Sequence, residues 1–471
     1  MKNFKNILIL LFIFLPALIF AQQNQRFIGS WMGKLSTGAI QLRLGINLSV
    51  DSTGKLNALL DSPDQNTFGI KTDTTIISGD KITIKIKKLM ASYDGEINQR
   101  DSLIKGKFTQ GGQTLELNLK KVTAPLILKR PQEPKPPFPY KIEEVTFTNA
   151  KANIELAGTL TIPEGKGPFR AVVLVTGSGP QDRNEALMGH KPFLVIADYL
   201  TRKGIAVLRY DDRGIGKSKG NFATGTTFDF ADDAEAGFSW LKKQPLIDVK
   251  HVGIAGHSEG GLIAPIIASR NKNINFIILL AGPGINGEEI ILAQSELISQ
   301  MSGLKSDVIK ESIDLNKKIF DVIKKEKDNT KALTASHEIL ENAINNTKSL
   351  TAIEKTDQAK TIDAKIAPLV TPWFRTFIQL DPRPYLLKTK CPVLALNGTK
   401  DLQVPCDVDL ESIDKCLKLA GNKNYTIIKI EGVNHLFQHA DKGLPSEYGS
   451  IEETFAPEAL KAMSDFILKL K

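Results

Sequence analysis

Between Val252 and Ala264 the chain passes from an apolar run, Val252-Gly253-Ile254-Ala255, through Gly256-His257-Ser258-Glu259-Gly260 into the helix-compatible Gly261-Leu262-Ile263-Ala264. A strand that turns at once into a helix brings two backbones together. Glycines two residues either side of Ser258 remove the β-carbons that would collide there. The serine hydroxyl is then lifted out of the fold toward a base. Taken alone, the five residues would also suit an ordinary glycine-rich turn. The β-like run before them and the helical run after them point instead to a nucleophile elbow.

The surrounding sequence has the matching architecture. From about Tyr140, short apolar runs alternate with amphipathic helices. Val145-Thr146-Phe147 and Leu156 to Leu160 read as an opening hairpin. Strands follow at Ala171 to Val175, Ile205 to Leu208, Val252 to Ala255, Ile274 to Leu280, Val393 to Leu396 and Thr426 to Ile430. One helix carries Phe193, Ile196, Ala197 and Leu200; the last carries Leu460, Met463, Ile467 and Leu470 on one face. Fully apolar strands separated by helices mean a parallel sheet covered on both faces. The expected class is therefore α/β, a mostly parallel, doubly wound sheet.

The alternation stops between Gly284 and about Arg383. Helix-like spacing persists there, as in Leu304, Val308, Ile313, Ile319 and Ile323. A helical cap over about 285–383 is expected, above the carboxyl ends of the strands, where open α/β sheets bind ligands. It ends in the aromatic cluster Thr371-Pro372-Trp373-Phe374-Arg375-Thr376-Phe377. That cluster is either the core of the cap or, through Trp373 and Phe374, a wall of the substrate pocket.

The first third of the chain has a different period. Gln41 to Leu48, Lys81 to Ile86 and Thr114 to Leu119 alternate apolar and polar residues, with turn residues between the runs. This predicts an antiparallel β domain over 24–123, a small barrel or sandwich. Its single tryptophan, Trp31, offers no aromatic platform for gripping a ligand. Six prolines from Pro125 to Pro139 then favour an extended connector, so a linker is expected over 124–140 and a second domain over 141–471. Residues 1–21 have a secretion-leader pattern: Lys2 and Lys5, the apolar run Ile7 to Phe20, and a cleavable Ala21. The run is short for a span, which takes roughly 20 apolar residues. No cysteine near the cleavage point supports a lipid anchor. An exported protein without a stable membrane anchor is expected, periplasmic or secreted.

The 471 residues carry a formal charge of +9, but the lysines are dispersed. Without a basic stripe, nucleic acid is not an expected partner. Cys391, Cys406 and Cys416 form no disulfide framework; either Cys406 pairs with Cys416 or all three are small buried apolar residues. No metal-ligand spacing is present, and neither a metal nor a cofactor is expected. Nothing in the pattern bears on oligomeric state.

A serine nucleophile needs a base, and the base an orienting acid. Behind an elbow of this kind the chain order is serine, acid, histidine. His435, in Glu431-Gly432-Val433-Asn434-His435 after the last strand, is the candidate base, with His439 as fallback. Asp401, in the loop after the preceding strand, is the candidate acid; Asp407 and Asp409 suit the start of the next helix, where they complement its dipole. His257 is placed to support the elbow. A tetrahedral oxyanion needs two preorganised N–H donors. The backbone amides of Glu259, after the nucleophile, and of Ser178, in Thr176-Gly177-Ser178-Gly179-Pro180, are the candidates. Asp211-Asp212-Arg213-Gly214-Ile215-Gly216-Lys217-Ser218 lacks phosphate-loop spacing and reads as structural, with an arginine–aspartate pair pinning neighbouring loops.

Over roughly Lys141 to Lys471 this pattern resembles the α/β-hydrolase family. More narrowly, Thr176 to Arg183, Gly256 to Gly261, and Pro372-Trp373-Phe374-Arg375 before Asp381-Pro382 look like a group of exported bacterial acyl esterases with a β-rich N-terminal domain. The resemblance implies hydrolysis of a small-molecule carboxylic ester without a cofactor, with Ser258, Asp401 and His435 as the triad. Thr176 departs from it, since many relatives have histidine before the glycine. A serine peptidase or aminopeptidase-like amidase uses the same constellation and remains the alternative.

Overall fold

The computed structural model describes residues 25–37, 40–51, 56–65, 67–98, 100, 102–123, 129–347 and 351–471. The leader pattern over 1–21 and residues 124–128, at the start of the proline-rich segment, lie outside them. The chain divides into two compact units, one formed mainly by residues up to Lys129 and the other mainly by residues from Arg130 onward.

The first unit is built from β1 (Gly29–Thr37), β2 (Ile40–Val50), β3 (Leu56–Ser62), β4 (Thr67–Lys71), β5 (Thr74–Ser78), β6 (Lys81–Ile86), β7 (Ala91–Ile97), β8 (Leu103–Gln110), β9 (Gln113–Glu116) and β10 (Leu119–Val122). They pair antiparallel as one sheet in the order β4-β3-β2-β1-β10-β8-β7-β6-β5, with β9 on β8. Alternation appears directly as burial: Ile82, Ile84 and Ile86 are inside, while Lys81 and Lys85 are exposed. Trp31, Ile46, Leu60, Ile84, Tyr93, Phe108 and Leu119 come from seven different strands and share one core with Phe27. Strands far apart in the order meet there, so the sheet curls around its apolar face. Trp31 is fully buried and donates its indole N–H to the Phe27 carbonyl at 2.6 Å. It is a core residue.

The second unit opens with the hairpin β11 (Tyr140–Asn149) and β12 (Ile154–Pro163). Then come β13 (Phe169–Val175), α1 (Pro192–Arg202), β14 (Ile205–Tyr210), α2 (Thr227–Leu241), β15 (Ile247–His257), α3 (Glu259–Arg270) and β16 (Ile277–Leu280). After a helical stretch the sheet resumes with β17 (Val393–Gly398) and β18 (Tyr425–Ile430). The strand order is β11-β12-β14-β13-β15-β16-β17-β18, parallel from β14 to β18 and antiparallel at β12.

The continuous apolar runs have a simple cause. Val173, Ile254, Ile277 and Val393 enter the core on one face, with Phe238 of α2 and Leu262 of α3. Their neighbours Val172, Ala255, Ile278 and Leu394 enter the core on the other, with Phe193 of α1 and with Met463 of a C-terminal helix, Pro457–Lys469. Burying a Val or Ile side chain fully is worth about 1.5–3 kcal/mol. A polar residue at either parity would therefore be selected against.

The stretch between β16 and β17 contains α4 (Gly287–Met301), α5 (Ser306–Lys325), α6 (Asn329–Asn346), α7 (Ala352–Ala359), α8 (Ile362–Ile366), α9 (Pro372–Phe377) and α10 (Arg383–Leu386). Among the described residues it has no strand. Ile319, Phe320, Ile323, Ala332, Val370, Phe374 and Ile378 give it a core of its own. Arg375 locks that core by donating to the carbonyls of Ile323 and Glu326 at the end of α5. After β17 comes α11 (Cys406–Leu419). Cys406 and Cys416 lie on this helix ten residues apart, about 15 Å along its axis. That is too far for a disulfide, and all three cysteines are free thiols. Among the described residues no helix is long and apolar enough to cross a membrane.

Candidate active site

The turn from β15 into α3 is as tight as its glycines imply. A β-carbon on Gly256 would stand 1.9 Å from the Gly260 carbonyl oxygen, and one on Gly260 would stand 2.1 Å from that of Val175. Ser258 sits between them at φ 52° and ψ −117°, a backbone state that costs a non-glycine residue about 1–3 kcal/mol. Such strain persists only where the surroundings over-determine it. Here the Ser258 amide donates to the Leu280 carbonyl of β16 at 2.8 Å.

Asp401 and His435 arrive from the next two strands. At the end of β17 the Asn397 side chain donates to the Val404 carbonyl at 2.9 Å and folds the following loop back. Asp401 Oδ1 accepts the amides of Gln403 and Val404 at 2.8 and 2.9 Å, which fixes the carboxylate plane. Its Oδ2 faces His435 Nδ1 at 2.8 Å. The His435 loop is shaped by Asn434, whose Oδ1 accepts the amides of Leu436 and Gln438. Both partners of the pair are buried, and the His435 ring centroid lies 4.9 Å from that of His257, next to the elbow serine.

The other candidates for these roles lie elsewhere. Asp407 is exposed and paired with Lys429. Asp409 is buried on α11, accepts the Gly284 amide at 2.5 Å, and is pushed up to about 7 by burial. His439 is largely exposed and bonded to Glu453. His190 contacts Thr454 and Gln438, His251 contacts Asp248, and His337 contacts Asp363.

The loop after β13 packs against the elbow. A β-carbon on Gly177 would stand 3.2 Å from Ser258 Cβ. The Gly177 amide is occupied, donating to Glu185 Oε1 at 2.7 Å. Among the described residues, the amides of Ser178 and Glu259 are taken by no protein acceptor. Thr176 supports this loop through its hydroxyl, which donates to Asp212 Oδ1 at 2.9 Å, while the Gln181 amide donates to Oδ2. Burial pushes Asp212 up to about 8 despite those hydrogen bonds, with the charges of Glu185 and Glu259 adding to the shift. The arginine of the same segment pairs further away than its neighbouring aspartates: Arg213 forks onto Asp233, and Arg183 forks onto Asp211.

Several functional neighbours escaped the sequence reading. The Glu259 side chain is 2% exposed and accepts Thr227 Oγ1 at 2.6 Å and the Trp373 indole N–H at 2.9 Å; the Ser178 side chain bonds it as well. Burying a carboxylate without a cation costs several kcal/mol, and hydrogen bonds to a charged group return about 1.5–3 kcal/mol each. The balance stays on the side of burial, which raises its pKa. Trp373 therefore spans from the cap to the elbow. Phe374 does not: it is buried in the cap core against Phe320, so the pocket role considered for it gives way to packing. Glu185 carried no motif signal, although it follows Gln181-Asp182-Arg183 closely. His257, expected to brace the elbow, also reaches the His435 carbonyl, from Nε2 at 2.9 Å.

The strand order, the strained serine between β15 and α3, and an acid and a histidine after β17 and β18 define an α/β-hydrolase. The chain belongs to the Hydrolase_4 family, described as serine aminopeptidase, S33, which it matches over residues 191–439. It is 29% identical over 295 residues to Esterase EstD of Thermotoga maritima, an alignment covering 62% of this chain. The match spans 61% of that relative's length. Among solved structures it is similar to the Pyrococcus furiosus esterase Pf2001, with a TM-score of 0.42 and 16% identity over 70% of this chain and 93% of that one. It is also similar to Est1E of Butyrivibrio proteoclasticus with ferulic acid bound, with a TM-score of 0.39 and 17% identity over 69% and 98%.

Proposed function

We propose that this chain is a serine hydrolase that cleaves carboxylic esters of small molecules through an acyl-enzyme. Ser258 Oγ attacks the carbonyl carbon while His435 Nε2 takes its proton. Asp401, bonded to Nδ1, holds that tautomer and balances the imidazolium that forms. The amides of Ser178 and Glu259 receive the oxyanion. The C–O bond then breaks, and the alcohol leaves with the proton from His435. Water, deprotonated by the same imidazole, releases the acid and regenerates Ser258. The observation that carries this reading is the 2.8 Å bond between Asp401 and His435 beside a serine at φ 52°. The leader pattern carries the further proposal that the enzyme acts outside the cytoplasm.

The family description favours a second reading, an aminopeptidase. That reaction needs a carboxylate free to receive the substrate ammonium. The acids around the elbow, Glu185, Asp212 and Glu259, are buried and already accept protein donors. The name of the relative from Thermotoga maritima also supports the ester. The test is kcat/KM of the full chain on p-nitrophenyl esters against aminoacyl p-nitroanilides, with Ser258→Ala as control. Preference for the ester and loss of at least about 10³-fold in the variant are expected. A variant near wild type overturns the mechanism; preferential anilide turnover overturns the substrate class.

A further inference from the structure

One chain of hydrogen bonds crosses the site without touching the reacting atoms. Glu185 Oε1 accepts both the Gly177 amide, at 2.7 Å, and His257 Nδ1, at 2.9 Å. His257 Nε2 then meets the backbone carbonyl of His435 at 2.9 Å. The chain joins the loop after β13, the elbow and the histidine loop, which are distant in sequence. Both ring nitrogens of His257 face oxygen acceptors. A neutral imidazole has one N–H, so the ring donates both bonds at once only as an imidazolium. Burial pulls the His257 pKa down, but the charge and hydrogen bond of Glu185 outweigh it and hold the pKa above the usual histidine value.

The backbone around this chain is strained. Glu185 and Phe437 have φ of 52° and 58°, and Ser258 shares the same region. Left-handed conformations at non-glycine residues persist where surrounding contacts fix them. The three loops that meet at Glu185 and His257 each hold one.

We propose that Glu185 and His257 act in series as a positioning strut that sets His435 and the oxyanion amides relative to Ser258, an inference that rests on the triad reading above. Neither residue reacts. Glu185 fixes the plane of the Thr176–Gly177 peptide by accepting the Gly177 N–H, and so anchors the loop one residue before the Ser178 amide. His257 fixes the His435 backbone, while Asp401 fixes only its ring. The imidazole is thus held from two sides, and the oxyanion loop is registered to it through one carboxylate oxygen.

The test is a double-mutant cycle in the full chain with Glu185→Ala, His257→Ala and the double variant. The readout is kcat per active site titrated with a fluorophosphonate, with KM measured alongside. Each single change should lower kcat about 10²-fold, the scale of an ångström-level misplacement, with KM within about threefold. Because the links are in series, the double variant should fall within about twofold of the worse single. Losses that multiply overturn the strut, as do single variants within about threefold of wild-type kcat. If His257→Ala fails to fold, Glu185→Met replaces it. That variant keeps nearly the size of the side chain but accepts neither the Gly177 amide nor His257 Nδ1, and an unchanged kcat there overturns the proposal. An inactive Ser258→Ala beside fully active strut variants removes this inference alone; an active Ser258→Ala removes the reading beneath it.

Discussion

The strand-end loops and the cap are held by opposite kinds of interaction. The loops carrying Gly177, Asp212, Ser258, Asp401 and His435 are joined by buried polar bonds, most of them involving a carboxylate. The cap is held to itself by apolar packing of Ile319, Phe320, Ile323 and Phe374, and reaches the elbow through the Trp373–Glu259 bond. Directional bonds fix angles as well as distances. Apolar packing fixes a volume and tolerates rearrangement within it. Chemistry is therefore expected to be sensitive to single atoms in the loops, and substrate selection to be adjustable in the cap.

The largest effect should come from Asp401→Asn. Oδ1 is committed to the amides of Gln403 and Val404, so the new NH2 group must face His435. It would donate to Nδ1 and drive the ring proton to Nε2, leaving no lone pair to deprotonate Ser258. A kcat loss on the order of 10³–10⁴ is expected, with the fold intact by circular dichroism. A loss under tenfold would show that the loop bonds do not set the tautomer.

Asp212→Asn addresses the same network through stability. The carboxyl is held at about 8 in the folded chain, against roughly 3.9 when unfolded. Between those values the folded state keeps a proton that the unfolded state has released. Stability therefore falls as pH rises through that window, up to the folded pKa. Asparagine retains the acceptor for the Gln181 amide and cannot ionise. The variant should melt above wild type by a margin that widens from pH 5 to pH 8, on the order of 1–3 kcal/mol at the top. A margin that stays flat would mean that Asp212 is ionised throughout, and that the loops tolerate more buried charge than this comparison assumes.

How much of this was legible follows from the physics of each signal. The sheet was readable because alternate residues of each strand enter different cores, which leaves an unbroken apolar run. The elbow was readable because Gly256 and Gly260 have no room for a β-carbon. Asp401 and His435 were readable as positions after strands. In the first unit, alternation announced which residues point inward, as at Ile82 and Ile84, but period two carries no strand order, and the curled sheet did not follow from it. Glu185 and the Glu259 side chain were invisible for another reason. Their partners, Gly177, His257, Thr227 and Trp373, are mostly distant in sequence, and a lone carboxylate in a loop or at a helix start has an ordinary solvated reading. Trp373 and Phe374 were read together, yet adjacent residues on a helix point about 100° apart. One meets the elbow while the other fills the cap.

Trp373→Phe should have the smallest effect and separates the two regions most directly. Phenylalanine can retain the stacking on Phe377, now at 5.3 Å, and loses only the N–H that reaches Glu259. Glu259 still accepts Thr227, so the elbow keeps its support. A hydrogen bond to a charged group is worth about 1.5–3 kcal/mol, part of which neighbouring donors or water recover. If the cap selects substrate while the loops perform chemistry, KM should rise about 3–10-fold across a series of acyl chain lengths, with kcat within about twofold. A fall in kcat with KM unchanged would show that the indole positions the elbow, making cap and loops one rigid unit despite their different means of support.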